Sequence, residues 1–125
     1  MNTVERRQKR VYIAGPMTGI ENYNFGEFDR AEKGLRECGM AVVNPATLSR
    51  RVLNGRLELE PEELSKLIED ELEMLVDCDA ILLLRGWENS KGAKKELYHA
   101  IGNGLEVWVQ KCLPCQTSNN KGEIK

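Results

Sequence analysis

The sequence lacks the features that mark several classes of protein. Its 125 residues carry 18 Lys and Arg against 20 Asp and Glu, a formal net charge of -2, so no basic excess favours non-specific nucleic-acid binding. No apolar run approaches the roughly 20 residues of a membrane-spanning helix, and no signal-peptide core of about 7–15 apolar residues follows the charged start. We therefore expect a cytoplasmic protein with neither a nucleic-acid nor a membrane partner.

Cysteine and histidine are too few for a complete metal site. Cys112 and Cys115 form one C-x-x-C, but a zinc site needs a second ligand pair, and His99 is the single histidine. A thioredoxin-like redox site would open a helix, whereas a polar run follows Cys115. Cys38 and Cys78 end apolar segments and are expected to be small buried side chains. We expect no metal and no cofactor, and the role of the C-x-x-C stays open.

Short apolar runs alternate with segments of helical period. The runs predict strands at residues 11–14, 40–43, 80–84 and 105–109. Apolar residues at helical spacing predict helices at residues 25–38, 61–76 and 90–102. Asn24 and Glu27 resemble a capping box at the start of the first helix. Gly39 predicts that this helix ends with a glycine in the left-handed backbone conformation. Residues 46–59 show no clean period and fit either an irregular loop or a short helix.

This alternation is typical of parallel strands joined by right-handed crossovers. We predict one α/β domain over residues 1–109, doubly wound and Rossmann-like or flavodoxin-like, with a mostly parallel sheet of four or five strands. Residues 110–125 are predicted to form a polar C-terminal tail. Ligands bind at the carboxyl ends of the strands in such sheets, which selects the loops at residues 15–23, 44–47 and 85–92.

The first of these loops contains Gly15, Thr18 and Gly19. It has neither the G-x-G-x-x-G of dinucleotide-binding folds nor the Gly-Lys-Ser/Thr of a P-loop. Its glycines would let backbone amides approach a ligand closely, and Thr18 adds a hydroxyl. A tight turn between a strand and a helix would use the same residues, so the loop alone does not decide between the two.

The third loop leads into the last predicted helix at Ser90. A helix start with a serine cap and open amides, here next to Gly92, is suited to an anion such as phosphate. Three nearby lysines add positive charge, although they also fit a solvated basic helix face. Glu96 lies in the second turn beside the apolar stripe, and its spacing alone fits a surface salt bridge as well as a functional carboxylate.

Four segments together resemble a known family. They are Tyr12–Gly19, Asn44–Pro45, Cys78–Leu84 and Gly86–Leu97. They are similar to small phage and bacterial proteins with a domain of unknown function, DUF4406. That family in turn is similar to the nucleoside 2-deoxyribosyltransferases and the 2'-deoxynucleoside 5'-monophosphate N-glycosidases. The resemblance covers about residues 11–109.

The resemblance implies an enzyme that cleaves an N-glycosidic bond, as a hydrolase or as a transferase. Glu96 would attack C1' of the deoxyribosyl group and expel the base through an oxocarbenium-like transition state. The second carboxylate, which helps to protonate the base, falls on Glu71, where the family usually has Asp. Asp70 is the alternative. We prefer Glu71 because it flanks the apolar stripe of its helix more closely.

The resemblance also implies the substrate class. The transferases that act on nucleosides carry an acidic residue at the position of Ser90, whereas the monophosphate glycosidases carry a serine that binds the 5'-phosphate. We therefore expect a nucleotide substrate. The other residues expected to bind it are Tyr12, Gly15, Thr18, Gly19, Asn44, Asp79, Trp87 and Gly92.

Two further expectations concern assembly and an alternative function. Related enzymes complete their sites across a dimer, so the resemblance implies a homo-oligomer, a dimer or larger. The alternative function is a non-catalytic module that binds a nucleotide or a nucleotide-derived signal. A Glu96 without a second carboxylate would favour that alternative.

Overall fold

Four short apolar runs of the sequence form one parallel sheet. The structure is a computed structural model and describes residues 8–110. The strands are β1 (Arg10–Ala14), β2 (Ala41–Val43), β3 (Ala80–Leu83) and β4 (Glu106–Val109). Their order in the sheet is β2-β1-β3-β4, and every neighbouring pair is parallel. Each strand lies within one residue of its predicted position at both ends, so the predicted parallel α/β fold is confirmed.

Helices cover both faces of this sheet. They are α1 (Phe25–Glu37), α2 (Pro45–Leu53), α3 (Pro61–Val76) and α4 (Lys91–Gly102). Val11 and Ile13 of β1 pack on the side of α1, whereas Tyr12 and Ala14 pack on the side of α3 and α4. Successive strand residues therefore bury both faces, which is why the strands read as continuous apolar runs. None of these helices has the length and apolar composition of a membrane span.

The strand order places a change of winding direction between β1 and β3. The loops that follow these two strands pack against each other. The Leu84 amide donates to the Ala14 carbonyl at 2.8 Å, and a Cβ on Gly15 would lie 2.8 Å from the Leu84 Cβ. Gly15 thus allows a close approach that a larger residue would block. Ligands of doubly wound sheets bind at this kind of edge, between the carboxyl ends of the strands.

Three local predictions are corrected or completed by the structure. The segment at residues 46–59 contains a helix, because α2 covers its first eight residues, up to Leu53. This helix begins at Pro45, and proline is well tolerated at the first position of a helix. Asn24 forms no capping box, because its backbone is left-handed with φ of 62° and its side chain donates to the Pro16 carbonyl at 3.0 Å. Cys38 is exposed rather than buried, while Cys78 is buried as expected. Cys112 and Cys115 lie outside the described residues.

Candidate functional site

The Glu96 side chain is half-buried, and a buried tyrosine holds its carboxylate. Ala93, Leu97 and Ala100 pack α4 onto the sheet, which turns Glu96 toward β1. The Tyr12 hydroxyl donates to Glu96 Oε2 at 2.6 Å, and the Tyr12 side chain is fully buried. Glu96 forms no ion pair with any residue from 8 to 110. The arrangement leaves a carboxylate without a cation at the carboxyl half of the sheet.

Burial makes this carboxyl a weak acid. The pKa of Glu96 is raised to about 8: desolvation has the largest effect, the nearby charge of Glu71 adds to it, and the hydrogen bond from Tyr12 acts in the opposite direction. Burial and the neighbouring Glu96 also raise the pKa of Tyr12 well above its ordinary value, so the phenol stays a hydrogen-bond donor. Glu96 therefore exchanges its proton near neutral pH, which suits a carboxyl that takes part in chemistry.

The second carboxyl of the site is Glu71 on α3. Its pKa is raised to about 7, mainly by burial and then by the charge of Asp70, while Ser49 acts in the opposite direction. Asp70 instead forms a surface ion pair, with its Oδ1 2.9 Å from the Lys66 ammonium. The structure thus brings Glu71 rather than Asp70 into the electrostatic neighbourhood of Glu96 and Tyr12.

The start of α4 borders the same pair of loops. Ser90 caps the helix, with its Oγ accepting from the Ala93 amide at 3.1 Å. The preceding amides, of Lys91 and Gly92, belong to the first turn, where no intrahelical carbonyl is in reach. A Cβ on Gly92 would meet nothing nearer than the Ser90 Oγ at 3.9 Å. Packing therefore does not explain the glycine at residue 92. Glycine is also less favourable than alanine in a helix, by about 1 kcal/mol.

The remaining loop residues differ in what they contact. Trp87 is half-buried and packs against the cluster that contains Tyr12. Thr18 and Gly19 are exposed, and Gly19 has a positive φ of 84° that favours glycine. Gly15 is needed for the contact between the two loops. Of these four residues, Trp87 is the one that the structure packs directly onto the Tyr12 cluster.

Asp79, which the sequence analysis placed among the substrate-binding residues, lies at the opposite edge of the sheet, so the structure does not bring it to Glu96. It precedes β3, so it stands at the amino end of the strands. Its Oδ2 accepts from the Arg10 amide at 2.8 Å, where β1 begins. This carboxylate fixes the start of the β1–β3 pairing. About four strand residues, at roughly 3.3 Å each, separate it from the carboxyl edge.

Asn44 is committed to the fold rather than directed at Glu96. Its Oδ1 accepts from the Ala46 amide at 2.9 Å and so caps α2. Its Nδ2 donates to Asp29 Oδ1 at 3.1 Å and to Glu32 Oε1 at 3.0 Å, both on α1. The structure therefore uses both the oxygen and the nitrogen of this side chain, and does not bring it to the carboxyl pair.

Comparison with known proteins gives a family for this arrangement. A family model described as a domain of unknown function, DUF4406, matches residues 9–109. The chain belongs to the DUF4406 family. No functionally curated protein matches it significantly.

Solved structures share the fold of this DUF4406 protein. A 2-deoxyribosyltransferase from the psychrotolerant bacterium Bacillus psychrosaccharolyticus superposes with a TM-score of 0.59 and 21% identity, over 80% of this chain and 70% of that one. A CMP N-glycosidase, BcmB, from Clostridium botulinum gives a TM-score of 0.48 and 19% identity, over 81% and 67% of the two chains. The likeness to the transferase shows a common fold.

Sequence reasoning missed one residue of the DUF4406 site, Ser49. It lies on α2 and is 6% exposed, its Oγ donates to the Met17 sulfur at 3.8 Å, and it lowers the pKa of Glu71. The lack of a clean period in residues 46–59 hid it. The signal that could have found it is Asn44-Pro45, since an asparagine cap followed by proline predicts a helix start. Within residues 8–110, no group of three His, Cys, Asp or Glu side chains could hold a metal ion.

Proposed function

We propose that this DUF4406 protein cleaves the N-glycosidic bond of a 2'-deoxynucleoside 5'-monophosphate, with Glu96 as the nucleophile. The observation that carries the proposal is the half-buried Glu96 carboxyl, which accepts a hydrogen bond from the buried Tyr12 and lies close enough to a second half-buried carboxyl, Glu71, for its charge to raise the pKa of Glu96. Paired carboxyls with raised pKa values are the machinery that glycosidic cleavage needs. The common fold with a 2-deoxyribosyltransferase supports the same reading.

Each carboxyl has one task in this mechanism. The ionised Glu96 attacks C1' of the deoxyribosyl group as the bond from C1' to the base nitrogen breaks. Glu71 gives its proton to the departing base, so that the electron pair of the broken bond leaves on a neutral base. Water then attacks C1' and frees Glu96, with Glu71 taking up the proton from that water. A second base in place of water would make the reaction a transfer.

The productive state therefore holds one proton on the carboxyl pair. Below a pH of about 7 both groups tend to be protonated, and above about 8 both tend to be ionised. Glu96 has the higher pKa of the two, so in the free protein it holds this proton. In the proposed mechanism, positive charge that develops at C1' favours the state in which Glu96 is ionised and Glu71 holds the proton. Tyr12 assists because its hydroxyl donates to the ionised Glu96.

The start of α4 supports a phosphate on the substrate. The amides of Lys91 and Gly92 and the positive end of the helix dipole favour an anion there. Ser90 is uncharged, whereas an acidic side chain at this position would repel a 5'-phosphate. A nucleotide is thus a better fit than a nucleoside.

A panel of substrates tests the proposal. The protein is incubated with 2'-deoxynucleoside 5'-monophosphates, the matching nucleosides and the matching ribonucleotides, and free base is measured by liquid chromatography. We expect base release from one or more of the deoxynucleoside monophosphates and much slower release from the nucleosides. Adding a second, different base separates transfer from hydrolysis.

The outcome of the panel separates this enzyme from a binding module. Tight binding of a nucleotide with no base released would contradict the enzymatic proposal and favour the non-catalytic module. The second carboxyl near Glu96, Glu71, supports the enzyme, because binding of an anionic nucleotide alone gives no reason to keep two half-buried carboxyls close together.

A further inference from the structure

Three consecutive residues in the loop after β1, at residues 15–24, have a strained backbone. Asn22, Tyr23 and Asn24 have φ of 53°, 54° and 62°, in the left-handed region that residues other than glycine rarely adopt. Such a conformation is unfavourable, and it persists only where the surrounding structure fixes it. The side chains of Tyr23 and Asn24 make the contacts that fix this turn.

Tyr23 connects the strained turn to the loop after α2, at residues 54–60. Its hydroxyl donates to the Leu57 carbonyl, 34 residues later in the chain. Its ring stacks on that of Phe25, with the ring centres 5.6 Å apart and the planes 25° apart. The guanidinium carbon of Arg50, on α2, lies 5.0 Å from the centre of the Phe25 ring. A hydrogen bond and an aromatic stack thus connect the turn both to α2 and to the loop that follows it.

Asn24 connects the same turn to the edge where the candidate site lies. Its Nδ2 donates to the Pro16 carbonyl at 3.0 Å, close to the end of β1. Pro16 in turn borders the loop after β3, because a Cβ on Gly86 would lie 3.3 Å from the Pro16 Cγ. Gly86 precedes the turn that leads to Ser90 and α4. A series of contacts therefore runs from Leu57, through the strained turn, to the loop that leads into α4.

Both loops lie toward the carboxyl edge of the sheet. The loop after β1 begins where that strand ends. The helix α3 ends at Val76, shortly before β3 starts at the amino edge, so the beginning of α3 and the loop before it lie toward the opposite edge. The bond from Tyr23 to Leu57 therefore joins two segments at the edge where ligands of doubly wound sheets bind.

We propose that Tyr23 is a positioning residue, whose hydroxyl bond to Leu57 holds the loop after β1 in the arrangement that receives the nucleotide. The inference rests on the proposed function, in which this loop borders the substrate. A loop that is already ordered loses less conformational entropy when the ligand binds, so the bond contributes to affinity rather than to the chemical step. Loss of the hydroxyl should therefore raise KM with little change in kcat.

One variant and a matched control test this. Tyr23→Phe removes the hydroxyl and keeps the ring that stacks on Phe25, whereas Tyr98→Phe removes the hydroxyl of an exposed tyrosine on α4. Hydrogen–deuterium exchange of the ligand-free proteins is followed by mass spectrometry. We expect amides in both loops, at residues 15–24 and 54–60, to exchange about fivefold faster in Tyr23→Phe, because one hydrogen bond connects the two loops. Tyr98→Phe should exchange in these loops as the wild type does.

Binding and kinetics provide the second readout. We expect Tyr23→Phe to weaken binding of a deoxynucleoside monophosphate about fivefold in calorimetric titration, and to raise KM for base release by a similar factor with kcat within about twofold. Unchanged exchange in the loop after α2 would overturn the inference, and so would faster exchange in both loops with unchanged nucleotide affinity. Nucleotide binding without base release by the wild type would defeat the proposed function alone, because exchange and affinity do not depend on turnover.

Discussion

At the scale of single residues, the Glu96 carboxyl costs the fold stability. Its pKa is raised from 4.5 to about 8, so between these values the folded protein binds more protons at Glu96 than the unfolded chain does. The free energy of unfolding therefore falls as pH rises through this window. A core chosen for stability alone would place an apolar side chain here. Carboxyls with raised pKa values of this kind are common at functional sites, which is consistent with the role proposed for Glu96.

The first prediction follows from this cost. In Glu96→Gln the amide oxygen still accepts from Tyr12, but no ionised group is buried. Near pH 4.5 the variant and the wild type should have similar free energies of unfolding. By pH 9 the variant should be more stable by roughly 1–3 kcal/mol. Urea unfolding at both pH values measures the difference, and a difference that does not grow with pH would show that Glu96 is not buried.

A second prediction separates the two candidate acids. Glu71→Gln should lower kcat/KM for base release by about a hundredfold or more, because it removes a buried proton donor. Asp70→Asn should lower kcat/KM much less at its pH optimum, because Asp70 is in a surface pair with Lys66 and acts on Glu71 only through its charge, which raises the pKa of Glu71. The two substitutions are matched in chemistry and adjacent in the chain. Equal effects of the two substitutions, or a larger effect of Asp70→Asn, would contradict the assignment of Glu71 as the acid.

At the scale of elements, the strands and three of the helices could be predicted from period alone. The strands are short continuous apolar runs, and the apolar residues of these helices recur every three to four positions; both are local signals. The helix α2 escaped because its buried side chains include Ser49 and Ala46, which do not make an apolar stripe in the sequence. Its start was nevertheless encoded by the Asn44 cap and Pro45.

The candidate site depends on contacts between residues that are far apart in the sequence, and the spacing of residues within one helix does not predict them. The spacing of α4 left Glu96 at the border of the apolar stripe, and its burial is decided by Tyr12, 84 residues earlier in the chain. The resemblance pointed to Glu96 and Glu71, but it also assigned Asp79 to the site. Strand direction decides at which edge of the sheet a residue lies. Asp79 precedes β3, so it lies at the amino edge and not at the carboxyl edge where the candidate site is.

A third prediction concerns the start of α4. Gly92→Ala should stabilise the protein by roughly 0.5–1 kcal/mol, because alanine favours the helix and the added methyl meets open space. Gly34→Ala in α1 is the control, since it also points into open space. The methyl at residue 92 should weaken binding of a deoxynucleoside monophosphate about tenfold, or 1.4 kcal/mol, by blocking the approach of phosphate to the amides.

Thermal unfolding and calorimetric titration measure both effects of these substitutions. The control should gain stability and keep its affinity for the nucleotide. Unchanged affinity in Gly92→Ala would mean that no phosphate approaches this turn, and that glycine at residue 92 has another explanation.

At the scale of the whole molecule, exposed apolar side chains favour association of copies. On α4, Tyr98 is 67% and Ile101 56% exposed, and on β4 Val107 is 42% and Val109 50% exposed. The pairing of Val107 with Ile81 and of Val109 with Leu83 places both valines on the sheet face that α4 covers. Apolar side chains on one face of a small domain are typical of a protein interface.

The fourth prediction is therefore a homo-oligomer. Light scattering at tens of micromolar, a rough working range, should give the mass of a dimer or a larger assembly. Ile101→Glu should shift the mass toward the monomer, while Glu88→Gln in the exposed turn before α4 should not. A monomeric wild type at that concentration would count against the assembly.

The central claim is that Glu96 is the nucleophile, and base release by Glu96→Gln tests it most directly. Wild type, Glu96→Gln and the exposed-turn control Glu88→Gln are compared on the deoxynucleoside monophosphate that the wild type cleaves best. The account predicts that Glu96→Gln keeps nucleotide binding and loses turnover by about a thousandfold, roughly 4 kcal/mol of transition-state stabilisation. The control should match the wild type. Turnover in Glu96→Gln equal to that of the wild type would contradict the account.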